Sequence, residues 1–115
     1  MSKFVEIAKT DELKSGTMKK VVVEGREILL ARVGDKYYAA DGRCPHMKGE
    51  LSQGKLEGTV VTCPVHSSQF DLTTGRVVRW LKGGLMSRLA GAFKMSRPLT
   101  VYNVKVEAGK VLVEF

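Results

Sequence analysis

Residues 44–75 read CPHMKGELSQGKLEGTVVTCPVHSSQFDLTTG, opening with Cys44-Pro45-His46 and repeating the theme, after sixteen intervening residues, as Cys63-Pro64-Val65-His66. The two elements contain every cysteine and every histidine of the 115-residue chain. When all the soft and borderline ligands of a small protein fall into two matched arms, the arrangement points to a metal centre.

The donor set admits two kinds of centre. Four Cys and His ligands suit one tetrahedral zinc ion in a closed structural site. They equally suit a two-iron, two-sulfide cluster, with two thiolates on one iron and two imidazoles on the other. In the second case each arm must reach across the cluster, offering its cysteine to one iron and its histidine to the other, and each arm here carries one of each. Zinc sites more often pair like with like, as in Cys-x-x-Cys followed by His-x₃₋₅-His.

The pattern C-x-H, sixteen residues, C-x-x-H resembles the signature of Rieske iron–sulfur proteins. CPHMKGELSQG, Cys44 to Gly54, is similar to the family's first ligand loop, and CPVHSSQFDLTTG, Cys63 to Gly75, to its second. Pro45 and Pro64 each fix a backbone angle and remove a donor, which helps set a tight loop whose other N–H groups turn toward the sulfides. The resemblance implies a [2Fe-2S] cofactor held by Cys44, His46, Cys63 and His66, and a soluble ferredoxin that takes one electron from a reductase and delivers it to a terminal enzyme. It also leaves open a small subunit of a larger redox enzyme such as a nitrite reductase. The rival from another class is a zinc-stabilised interaction module.

The resemblance extends to residues that tune the cluster. High-potential relatives carry an extra disulfide-forming cysteine in each loop, where this chain has Met47 and Val65, and a tyrosine where it has Phe70. Both departures lower the potential, whereas Ser68 is expected to donate to a bridging sulfide and raise it. The expected potential lies in the lower half of the Rieske range of about −150 to +300 mV.

Outside the arms the chain reads as short strands broken by turns. Lys3–Ile7, Met18–Val23, Ile28–Val33 and Lys36–Ala40 are expected strands, with turns at Glu24-Gly25 and Gly34-Asp35. Asp41-Gly42 opens the first loop, Thr59–Thr62 feeds the second, and Gln69–Leu72 and Arg76–Arg79 form a hairpin around Thr74-Gly75. Tyr102, Val104 and Val106 alternate with Asn103 and Lys105, then the chain turns at Glu107–Lys110 into Val111, Val113 and Phe115. The expected fold is all-β, with an antiparallel sandwich or barrel as base and, by the resemblance, an inserted cluster-binding subdomain over about 41–80. The whole chain, 1–115, is expected to form one domain. Leu85, Met86, Leu89, Ala92 and Phe93 share one helical face, so a short helical insertion is expected around 84–95 within about 83–97.

Composition bounds the function. No apolar run approaches the length of a membrane-spanning helix, the N-terminus lacks secretory features, and the cysteines are committed to metal, so a cytoplasmic location is expected. The net charge of +7 comes without a dense basic run interleaved with aromatics, which argues against nucleic acid. It favours steering toward redox partners with acidic docking surfaces. A Rieske oxygenase also needs a mononuclear iron on two further histidines and a carboxylate, and no nucleophile elbow, phosphate loop or dinucleotide fingerprint is present. An electron carrier rather than an enzyme is therefore expected. Asp41, Glu50 and Asp71 read as turn and surface acids.

Overall fold

A computed structural model describes residues 3–44, 49–64, 68–79 and 98–115. Its strands are β1 (Phe4–Lys9), β2 (Thr17–Val23), β3 (Arg26–Val33), β4 (Lys36–Asp41), β5 (Lys55–Glu57), β6 (Val60–Thr62), β7 (Gln69–Asp71), β8 (Val77–Arg79), β9 (Val101–Tyr102), β10 (Val104–Glu107) and β11 (Lys110–Glu114). Short 3-10 turns occupy Thr10–Glu12 and Leu51–Gln53. The strands form three sheets of order β1-β11-β10, β2-β3-β4-β9 and β5-β6-β7-β8, and every pairing is antiparallel.

The apolar run Ile28-Leu29-Leu30-Ala31 in β3 explains the layering. All four residues are fully buried, so the strand needs cover on both faces. Because side chains alternate along a strand, Leu29 and Ala31 project one way, joining Ala40, Val61, Phe70 and Leu72 in one core cluster. Leu30 packs with Ala8, Tyr37 and Val111, and Ile28 with Ala39 and Val113, on the opposite side. The β2-β3-β4-β9 sheet is thus the middle layer, and each buried Leu or Ile contributes roughly 1.5–3 kcal/mol.

The hairpins follow their turn residues. Val23 pairs with Arg26 and Glu107 with Lys110, leaving two-residue connections at Glu24-Gly25 and Ala108-Gly109. All four of those residues have positive φ, the pattern of the I′ turn whose twist matches that of the flanking strands.

Two details differ from the sequence reading. The alternating run from Tyr102 to Val106 is not one strand: Tyr102, with Val101, pairs with β4 in the middle sheet as β9, while β10 pairs with β11 in the outer one. The switch falls at Asn103, whose carbonyl accepts the Glu114 N–H and whose side-chain amide donates to Glu114 Oε1 at 2.8 Å. In addition, Lys55–Glu57 forms a strand, paired with β6, where no strand is expected, because three residues are too few to show alternation. The expected helical insertion lies outside the described residues.

Candidate metal centre

Each arm is carried by the end of a strand and closed by its own cysteine. At the end of β4, Asp41 N–H donates to Thr100 O and the following Gly42 N–H to Glu27 O, both at 2.9 Å. Arg43 and Glu50 form an antiparallel bridge, and inside it Cys44 N–H donates to Gly49 O at 2.9 Å. The second arm leaves β6, and Cys63 N–H donates to Ser68 O at 2.7 Å. Both cysteines therefore clasp the residue five positions ahead, although the Cys-to-His spacing differs between the arms.

The two loops meet. Cys44 and Cys63, each 1% exposed, belong to one apolar cluster with Leu51, Val61, Phe70 and Leu72. Gly54, at the end of the first arm, lies against the second, and a Cβ there would overlap the Thr62 carbonyl oxygen and come within 3.2 Å of Pro64 Cδ. Absence of a side chain is what lets the two arms touch. Residues 45–48, including His46 and Met47, and residues 65–67, including His66, lie outside the described residues.

Ser68 and Phe70, singled out as tuning residues, are both fully buried. Phe70 sits on β7 across from Val61 and Val77 and brings no hydroxyl. The Ser68 hydroxyl has no hydrogen-bond partner among the described residues. A buried donor left unmade costs about 1–3 kcal/mol, so this position calls for an acceptor.

Supporting residues that local sequence patterns do not reveal surround the first arm. Tyr102 Oη donates to Asp41 Oδ1 at 2.5 Å, and burial, then the neighbouring Asp41 carboxylate, push the phenol pKa up. Arg43 is held by Glu27, through Nε to Oε2 at 3.1 Å and Nη2 to Oε1 at 3.0 Å, which raises the guanidinium pKa. Glu50 accepts from Lys20 Nζ at 3.3 Å and from Gln53 and Ser52, and these contacts, Lys20 first, lower its pKa. Asp71 fits the turn reading, accepting from Thr73 N at 2.9 Å and Thr73 Oγ1 at 2.7 Å, and its pKa is lowered accordingly. The pairing of Ile28 with Asp41 sets Glu27 beside the entrance to the first arm.

Comparison with known proteins defines the class. A family model described as the Rieske [2Fe-2S] domain matches residues 3–84, and the chain belongs to that family. The ferredoxin component of a naphthalene 1,2-dioxygenase system from Pseudomonas aeruginosa is 30% identical over 112 residues, covering 97% of this chain and 95% of its own. The ferredoxin subunit of a 3-phenylpropionate/cinnamic acid dioxygenase from Escherichia coli is 33% identical over 88 residues, 76% of this chain and 71% of that one. The solved ferredoxin of carbazole 1,9a-dioxygenase from Nocardioides aromaticivorans IC177 superposes with a TM-score of 0.77 at 28% identity, over 96% of this chain and 95% of that one.

Within the family the chain stands with the ferredoxins: it is an electron carrier with a Rieske-type [2Fe-2S] cluster, not itself a catalyst. This displaces the zinc reading. The described half of the site suits such a cluster, since it offers two buried sulfur donors in dry surroundings and one buried hydroxyl in want of an acceptor.

Proposed function

We propose that this ferredoxin passes single electrons from a reductase to a terminal oxygenase in the cytoplasm, with Cys44 and Cys63 on one iron and His46 and His66 on the other. The observation that carries the ligand assignment is the meeting of two separately clasped, buried cysteines in one apolar cluster. Relatives of this size are ferredoxin components of dioxygenase systems, and one solved neighbour, at 29% identity and TM-score 0.78 over 96% of this chain and 91% of that one, is the complex of reduced oxygenase and oxidised ferredoxin in carbazole 1,9a-dioxygenase. Among the described residues no helix is long and apolar enough to cross a membrane.

When bound, the cluster supplies one-electron redox chemistry, with neutral imidazoles making it easier to reduce than an all-thiolate centre. The chain's own contribution would be to hold two thiolates at fixed loop bases and to exclude water with Leu51, Val61, Phe70 and Leu72, while the buried, unpartnered Ser68 hydroxyl would supply a donor for the added negative charge. Ser68→Ala should lower the reduction potential by about 65 mV, the equivalent of ~1.5 kcal/mol for a hydrogen bond to a charged acceptor in a one-electron couple. Protein-film voltammetry measures it directly. An unchanged potential removes Ser68 from the tuning residues.

The acidic character of the partner surface is inferred from charge placement along the chain. Residues 45–48 and 80–97 contain Lys48, Lys82, Arg88, Lys94 and Arg97 and no acid. Most of the excess charge therefore belongs to the first ligand loop and to the segment that follows β8 of the cluster-side sheet. Stopped-flow electron transfer from the reduced protein to a dioxygenase-type oxygenase tests both points. The second-order rate should fall about tenfold or more as salt is raised, because steering fades once charges lie beyond a Debye length of ~8 Å. No transfer at any salt overturns the assignment, and transfer indifferent to salt overturns the acidic partner.

A further inference from the structure

Four charged residues from distant parts of the chain form a closed ring around the base of the first ligand loop. Lys20 of β2 lies 3.7 Å from Glu27 of β3, Glu27 lies 3.0 Å from Arg43, Arg43 lies 3.9 Å from Glu50, and Glu50 lies 3.3 Å from Lys20. Signs alternate around the ring, so each charge has two opposite neighbours. Networks of this kind, unlike isolated surface pairs, contribute measurably to structure.

The ring's position follows from strand geometry. Lys20 stands opposite Leu29, and Glu27 lies two residues before it, so both share the sheet face that carries Leu29 and Ala31 toward the cluster-side core. They occupy the rim of that face, where the apolar cover ends. Arg43 and Glu50 meet them there, and these are the two bridged residues that flank the loop closed by Cys44. Glu27 Oε1 is shielded from solvent and is met by Arg43 and Lys20 at ion-pair distances rather than with the alignment of a hydrogen bond. Glu27 also accepts the Gly42 N–H through its carbonyl, so it holds two successive residues, Gly42 and Arg43, immediately before Cys44.

We propose that Glu27, completed by Lys20, is a positioning residue that acts through Arg43 and Glu50 to fix both ends of the first ligand loop on the base sheet, and so sets how firmly Cys44 holds the cluster. This rests on Cys44 being a ligand. The base sheet would thereby control the lifetime and uniformity of a centre to which its own side chains are not ligands.

Glu27→Gln keeps the size of the side chain and removes its charge. In the holoprotein, cluster loss to an iron chelator, followed by visible absorbance, should accelerate about three- to tenfold, and more so in high salt for the wild type than for the variant. The EPR lines of the reduced variant should broaden, which a purely global loss of stability does not produce. In an Arg43→Gln background, Glu27→Gln should add little, because the two act as a unit. Glu12→Gln removes the charge that Lys19 of β2 meets at 2.6 Å from the 3-10 turn Thr10–Glu12, away from the loop, and should leave both readouts unchanged. If Glu27→Gln does not accumulate folded, Lys20→Gln opens the same ring at a more exposed corner and carries the same expectation. Wild-type loss rates and line widths in the variant, or equal effects with and without Arg43, overturn this inference alone. A wild-type protein without any iron–sulfur signal overturns the cluster assignment beneath it.

Discussion

Cys63→Ser should yield a colourless protein. Cys63 is 1% exposed, follows β6 directly, and closes its loop through its own N–H on Ser68, so the backbone that presents the side chain is held regardless of what that side chain is. Serine keeps the shape but not the chemistry, since a hydroxyl does not ionise near neutral pH to become the soft anionic donor that iron and sulfide need. The new hydroxyl lies among Val61, Phe70 and Leu72, where an unmade hydrogen bond costs about 1–3 kcal/mol. Purified anaerobically, the variant should lack the visible bands and the EPR signal of the reduced wild type, contain almost no iron, and unfold at a lower temperature. A variant retaining the wild-type iron content and spectrum would remove Cys63 from the ligands.

The second large effect comes from a residue with no chemistry at all. Gly54→Ala places a methyl group on the Thr62 carbonyl oxygen, 3.0 Å from its carbon and 3.2 Å from Pro64 Cδ. Those atoms are backbone and a fixed ring, so no side-chain rotation relieves the overlap. Thr62 is moreover held on both sides, paired with Lys55 of β5 and Gln69 of β7, and Gln69 Nε2 donates to Thr62 Oγ1 at 3.2 Å. Overpacking against yielding neighbours costs about 1–3 kcal/mol, and here the upper end applies. The midpoint of thermal unfolding should drop by roughly 10 °C or more. The cluster should be lost together with the contact, because the displaced residue adjoins Cys63. A Gly54→Ala protein as stable as the wild type, with its spectrum intact, would mean that the two arms do not bear on each other at this point.

How much of this was visible in the linear chain depends on the range of each interaction. Alternation along a strand and the two-residue turns at Glu24-Gly25 and Ala108-Gly109 are local, and the structure places strands and turns there. Local periodicity does not say which sheet a strand joins. Tyr102 to Val106 alternates identically whether or not the chain changes partners at Asn103, so only the pairing with β4 and β11 reveals the switch. Tyr37 of β4 lies in the core, whereas Phe4 of β1 is 38% exposed beneath Lys105 Nζ, 4.7 Å from its ring centroid. An apolar residue near a chain end carries no sign of which it will be.

The candidate site divides along the same line. Ligand chemistry belongs to residue types and their spacing, and the two cysteine–histidine arms were sufficient to point to a metal centre, while its iron–sulfur class followed from the family resemblance and the match to the Rieske domain. What surrounds Cys44 and Cys63 was decided only by tertiary structure. Lys20, Glu27, Arg43 and Glu50 are ordinary charges in the linear chain, and Gly54 is an ordinary glycine. They acquire a role when antiparallel pairing carries β2 and β3 to the rim of the first loop and folds the end of that loop onto Thr62. Electrostatic attraction and steric exclusion act through space over a few ångströms, so no spacing along the chain encodes them.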